Sequence, residues 1–154
     1  MDLSKANLGI FAKTSDPMFI EAAGRSGLDF VILDAEHGPN SAKNMLPLVM
    51  AADCGGAAPV IRVPKLDEAL IQHALDIGAA GVQIPQIDTL ERAQQAVSCS
   101  RFYPKGTRGV CRYVRPAHYS LKEKQDYFKD AEDVKVIVHV EGQKGVDNLD
   151  EILS

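Results

Sequence analysis

Asp34, Glu36 and His37 follow directly on the apolar run Phe30-Val31-Ile32-Leu33, and Gly38 closes the group. A carboxylate and an imidazole this near in sequence can meet across a tight turn. The carboxylate then holds the ring in one tautomer and makes it a better base. In a parallel α/β protein, residues just past the C-terminal end of a strand face the mouth where ligands bind. The competing reading is that Asp34 and His37 cap the helix that follows. Two later apolar runs end in the same manner. Val60-Ile61-Arg62-Val63-Pro64 sets a guanidinium among apolar neighbours, where it needs an anion: a bound one, or Asp34 or Glu36 in a structural ion pair. In Val136-Ile137-Val138-His139-Val140-Glu141 the two-residue period of a strand puts His139 and Glu141 on one face. Glu141 suits a hard divalent cation, or pairing with a cation such as Arg62.

The elements that must carry these groups alternate in a regular way. Asn7 to Lys13 reads as a first strand, and Asp16-Pro17 as the start of a helix that ends at Gly27. Phe30 to Asp34 is the second strand. Ser41 to Asp53 is a helix interrupted by Pro47, which predicts either a start nearer Asn44 or a kink. Ala58 to Val63 is the third strand, and Leu66, Leu70, Ala74 and Ile77 recur at helical spacing after it. Within that helix His73 is read as structural. Gly81 to Ile84 is a short fourth strand, followed by a helix with Asp88 and Glu91 as capping box and Leu90, Ala93 and Val97 on one face. Periodicity stops from Arg101 to Val114, a loop rich in Gly, Pro and cations that is expected near the mouth. Ser120 to Lys129 reads as a polar helix, Val134 to Val140 as the fifth strand, and Gly142 onward as a short helix. Strands apolar on both faces, alternating with helices, indicate a parallel sheet covered by helices. A barrel and an open doubly wound sheet both satisfy that pattern.

Composition sets the outer bounds. The 154 residues suffice for one domain with a core; 45% are hydrophobic and 25% charged, with a net charge of -4. There is no Lys/Arg run to suggest a nucleic-acid partner, and no apolar segment of membrane-spanning length or signal-peptide form. Cys54, Cys99 and Cys111 are odd in number and without CxxC pairing, which fits a reducing cytoplasm better than a disulfide framework or zinc site. Neither GxGxxG after the first strand nor GxxxxGK[ST] occurs, which argues against dinucleotide and P-loop sites.

Five blocks in order resemble the HpcH/HpaI aldolase family. They are Asp34-Ala35-Glu36-His37-Gly38, Val60-Ile61-Arg62-Val63-Pro64, Leu75-Asp76-Ile77-Gly78-Ala79-Ala80-Gly81-Val82, Tyr103-Pro104-Lys105-Gly106-Thr107-Arg108-Gly109-Val110, and Val140-Glu141 followed by Asn148-Leu149-Asp150-Glu151-Ile152. The resemblance implies an α/β fold of the parallel (β/α) TIM-barrel type. It also implies a class II, metal-dependent aldolase acting through a pyruvate enolate on a 4-hydroxy-2-oxo acid. On that resemblance His37 is the base, Asp34 orients it, Arg62 holds the keto or enolate oxygen, and Glu141 binds Mg²⁺ or Mn²⁺. The chemistry is coherent. A divalent cation chelated by pyruvate stabilises the enolate, a base removes the methyl proton directly or through a water, and a fixed guanidinium meets the developing charge. Schiff-base chemistry would need a desolvated lysine, and Lys13, Lys65 and Lys135 stand at strand borders.

Two features depart from the family pattern. His139 stands where the family has Gln; it could donate to substrate as Gln does, or ligate metal and favour Mn²⁺, Co²⁺ or Zn²⁺. Second, a TIM barrel takes about 250 residues, and only five of its strands can be read here. Residues 1–154 are therefore expected to form one partial (β/α)-barrel domain of about five β/α units. In the family the second metal carboxylate, and the amides that hold the pyruvate carboxylate, come from the next strand. The expectation is a fragment of a longer protein or a shortened homologue that covers its open edge. Its substrates would be pyruvate and an aldehyde, and it would be a homo-oligomer. The alternative is a non-catalytic homologue or interaction module that keeps a weak metal or 2-oxo-acid site.

Overall fold

The computed structural model describes residues 8–154. Five strands form a single parallel sheet in the order β1 (Gly9–Ala12), β2 (Phe30–Asp34), β3 (Ala58–Arg62), β4 (Gly81–Ile84), β5 (Lys135–Val138). Each strand lies beside its predecessor, so the sheet winds in one direction and has no point at which the order reverses. That decides for the barrel progression over the doubly wound sheet. β1 and β5 are its two edges. Of the expected first strand, Asn7 lies outside the described residues.

Alternation along the strands sorts the side chains. Val31, Leu33, Ile61, Val63, Val82 and Ile84 pack into one core with Ile20, Leu48, Val49, Ile71, Leu75 and Ala96 from the helices. The intervening residues turn to the other, lumenal face. The helices are α1 (Pro17–Arg25), α2 (Ala42–Gly55), α3 (Glu68–Asp76), α4 (Leu90–Ser100), α5 (Lys124–Glu132), α6 (Gln143–Asp147) and α7 (Leu149–Ile152). α1 has the expected Asp16 cap, whose carboxylate accepts the Met18 N–H at 2.9 Å, and its exit passes through Gly27 at φ 96°. No helix among the described residues is long and apolar enough to cross a membrane.

Several expectations are corrected. α2 starts at Ala42 and runs through Pro47. The Asn44 side chain accepts the Ser41 N–H at 2.7 Å, which secures that earlier start. Thr89, not Asp88, caps α4, its hydroxyl accepting the Arg92 N–H. Asp88 is drawn instead toward Lys144 and Arg92. The buried face of α4 is Ala93, Ala96, Cys99 and Ser100, while Val97 is exposed. The expected Ser120–Lys129 helix begins only at Lys124. A 3₁₀ segment, Arg115–Ser120, precedes it, and His118, Tyr119 and Ser120 take positive φ that no α-helix can include. β5 ends at Val138, two residues short of the expected boundary.

The cation-rich loop after α4 lies away from the mouth. Arg101 donates to the Val134 carbonyl just ahead of β5, Arg108 to Asp76 at the end of α3, and Arg115 pairs with Asp53 near the end of α2. A helix-to-strand connection falls at the N-terminal edge of a parallel sheet, opposite the ends that carry Asp34 and Arg62, so this loop braces the bottom of the fold.

Candidate active site

In sheet register Asp34, Arg62, Gln83 and Ile137 stand side by side across β2, β3, β4 and β5. Neighbours in register on parallel strands point to the same face, so the register brings Asp34 and Arg62 together. The pair is a two-pronged fork: Arg62 donates from Nε to Asp34 Oδ1 at 2.9 Å and from Nη2 to Oδ2 at 2.6 Å. Oδ1 also accepts the backbone N–H groups of Glu36 at 2.9 Å and His37 at 3.2 Å. Asp34 is fully buried. Burial opposes its ionisation, but the Arg62 fork and the two backbone donors outweigh it, holding the carboxyl down from 3.8 to about 2.

Arg62 has further neighbours. Its Nη1 lies 3.1 Å from Glu36 Oε2, and its guanidinium carbon sits 5.0 Å from the centre of the Phe11 ring. The Asp34 hydrogen bond is the main cause that raises its pKa; burial opposes it, and the charges of Asp34, Glu36 and Glu141 add to the rise. Glu141 is thus within the field of Arg62. Its Oε1 accepts the Gln86 N–H at 2.8 Å, and Gln86 takes φ 57° to offer it.

The expected orientation of His37 by Asp34 is corrected. Asp34 grips the His37 backbone, not its ring. The imidazole is largely exposed, and its Nε2 lies 3.6 Å from Glu36 Oε1. The reason is valence: the Arg62 fork and the turn's own N–H groups occupy the Asp34 oxygens. Asp34 and His37 do not cap α2 either, since Ser41 is the residue at that start. The turn is tight at Gly38, where a Cβ would come within 2.8 Å of the Asp34 carbonyl oxygen. Asn40, buried, donates to the Thr14 and Asp34 carbonyls and ties the turn to the end of β1. His139 lies one residue past β5, where its N–H still bonds Ile84 and its carbonyl accepts from Ile87.

Phe11, Gln83 and Gln86 complete the site in ways the sequence did not single out, whereas Glu36 takes the pairing with Arg62 that the sequence offered as one alternative. Gln83 carried a signal, a polar residue in the otherwise apolar Gly81–Ile84 strand; Phe11 and Gln86 carried none that local spacing could supply.

The profile of the HpcH/HpaI aldolase/citrate lyase family matches residues 7–154. The chain belongs to the HpcH/HpaI family. A 5-keto-4-deoxy-D-glucarate aldolase of Escherichia coli is 36% identical over 149 residues, 96% of this chain and 57% of that protein. A solved HpcH/HpaI aldolase/citrate lyase family protein from Burkholderia cenocepacia superposes with a TM-score of 0.88 at 33% identity, covering 96% of this chain and 60% of that one. The citrate synthase SbnG superposes at 0.83 with 32% identity, over 96% of this chain and 56% of its own. The chain therefore spans a little over half the length of these proteins, matching the expected partial barrel.

Proposed function

We propose that this protein is a metal-dependent aldolase, a carbon–carbon lyase that cleaves or forms a 4-hydroxy-2-oxo acid through a pyruvate enolate. The observation that supports it most is the row at the strand ends. A buried Asp34–Arg62 fork stands beside Glu36, with Glu141 in its field and His37 on the same turn. Three carboxylates against one guanidinium leave a negative mouth, which favours a cation.

Among the described residues no three His, Cys, Asp or Glu side chains gather as metal ligands. A zinc-type site closed by protein ligands needs such a group. Mg²⁺ or Mn²⁺ does not, because such ions take one or two carboxylates together with water and substrate oxygens. Glu141 fits that role, with Oε1 steadied by the Gln86 N–H. When bound, such a cation supplies Lewis-acid polarisation of the 2-oxo group.

The chain's own groups do the rest. His37 removes a proton from the pyruvate methyl group and returns it in the reverse direction. Arg62 presents the N–H groups that Asp34 leaves unused to the oxygen where charge collects. The Phe11 ring lies against the guanidinium, and His139 borders the substrate from beyond β5. The aldehyde partner, a cytoplasmic setting and a homo-oligomeric assembly belong to the same proposal.

The test is exchange of the pyruvate methyl protons with deuterium oxide, followed by proton NMR with Mg²⁺ or Mn²⁺ present. His37→Ala should slow exchange by about 10²–10⁴-fold with the fold retained. Unchanged exchange in a folded variant would remove His37 from the role of base.

A further inference from the structure

Gln83 lies between Arg62 of β3 and Ile137 of β5 in sheet register. Val82 and Ile84 on either side pack against the helices, so alternation turns Gln83 to the face that carries Asp34 and Arg62. It is 5% exposed. Its Oε1 is sealed from solvent and has no hydrogen-bond partner among the described residues. A buried amide oxygen without a donor carries a desolvation penalty that a valine or leucine at this position would avoid. Packing therefore does not account for a glutamine here.

With the oxygen sealed, the NH₂ group is the end of the amide left to meet a ligand. A donor seeks an oxygen that bears negative charge. Its register neighbour Arg62 is a donor as well, with Nε and Nη2 engaged by Asp34 and Nη1 3.1 Å from Glu36 Oε2. The amide and the guanidinium thus stand next to each other at one level of the lumenal face, both as donors.

We propose that Gln83 is a catalytic residue: its amide N–H joins Arg62 in donating to the 2-oxo oxygen of the substrate. The proposal rests on the aldolase reading above. In the step concerned, the methyl C–H bond breaks and its proton passes to His37. The electron pair forms the carbon–carbon double bond, and the carbonyl pair moves onto the oxygen. Negative charge on that oxygen is greatest in the enolate, so the amide assists the chemical step more than it assists binding of the ketone.

Gln83→Met keeps the side-chain length and removes the donor, and Gln83→Leu is a second variant in case the first disturbs folding. Both are checked by far-ultraviolet circular dichroism. Pyruvate methyl-proton exchange is measured with saturating Mg²⁺, and calorimetry measures binding of oxalate, a planar dianion that mimics the enolate. The expected result is a fall in kcat for exchange of about 10²-fold, with KM for pyruvate changed by no more than about twofold. Oxalate should bind about tenfold more weakly. A structural role would lower stability without separating kcat from KM. Wild-type exchange matched by folded variants overturns the role of Gln83 and leaves the aldolase reading standing. Unfolding of both variants assigns the amide to structure and also overturns it. A wild-type chain that neither exchanges the methyl protons nor binds oxalate overturns the aldolase reading, and this proposal with it.

Discussion

Asp34→Asn tests the centre of the site because it keeps the shape and removes the charge. Asp34 accepts four hydrogen bonds, three at Oδ1 and one at Oδ2. An asparagine can keep its oxygen at the Oδ1 position and hold the turn. Its NH₂ must then replace Oδ2, where Arg62 Nη2 lies at 2.6 Å, and two donors face each other. Breaking a buried pair by neutralising one partner costs about 3–5 kcal/mol. Glu36, 3.1 Å from Nη1, still opposes the orphaned guanidinium, so the lower end applies: about 3 kcal/mol.

The acid dependence gives an independent figure. A carboxyl at about 2 in the fold and 3.8 outside it contributes about 2 kcal/mol near neutral pH. The folded-state pKa is the depressed one. That contribution is therefore complete above the unfolded value and is lost as pH falls from about 4 toward 2. The variant has no such carboxyl to protonate, so the gap between the two proteins should narrow across that window. Urea denaturation followed by circular dichroism reads both effects. With a slope of about 1.5 kcal/mol per molar, the midpoint near neutral pH should drop by about 2 M. A gap below about 0.5 kcal/mol at neutral pH, the range of an ordinary surface substitution, would refute the reasoning. So would a gap that stays constant through the acid window.

Glu141→Gln should weaken Mn²⁺ binding measured by electron paramagnetic resonance, because it removes the carboxylate proposed as ligand and leaves an amide in its place; equal affinities would take Glu141 out of the site. The two edge strands β1 and β5 and the half-exposed Phe11 on the lumenal face predict that the 154-residue polypeptide self-associates at micromolar concentration. Light scattering checks this, and a monodisperse monomer would mean that those edges are protected in some other way.

Sequence alone determined the order of the strands and helices and the bounds of two of the strands. Phe30–Asp34 and Gly81–Ile84 have the boundaries their apolar runs predict, and Asp16 caps α1 as its position before Pro17 requires. These follow from local physics: side-chain period, capping and turn residues act over a few positions and are written in them. Tertiary structure decided which partner each polar group found. Asp34 and His37 are close in sequence, yet the Asp34 carboxylate turned to Arg62, 28 residues away, because strand register places a guanidinium beside it and a fork outcompetes a ring at the rim. Register likewise set Gln83 next to Arg62. The Arg101–Val114 loop went to the bottom of the sheet because a helix-to-strand connection must end there. Pairing across strands depends on how the whole sheet is wound, and no local pattern of residues encodes that distance.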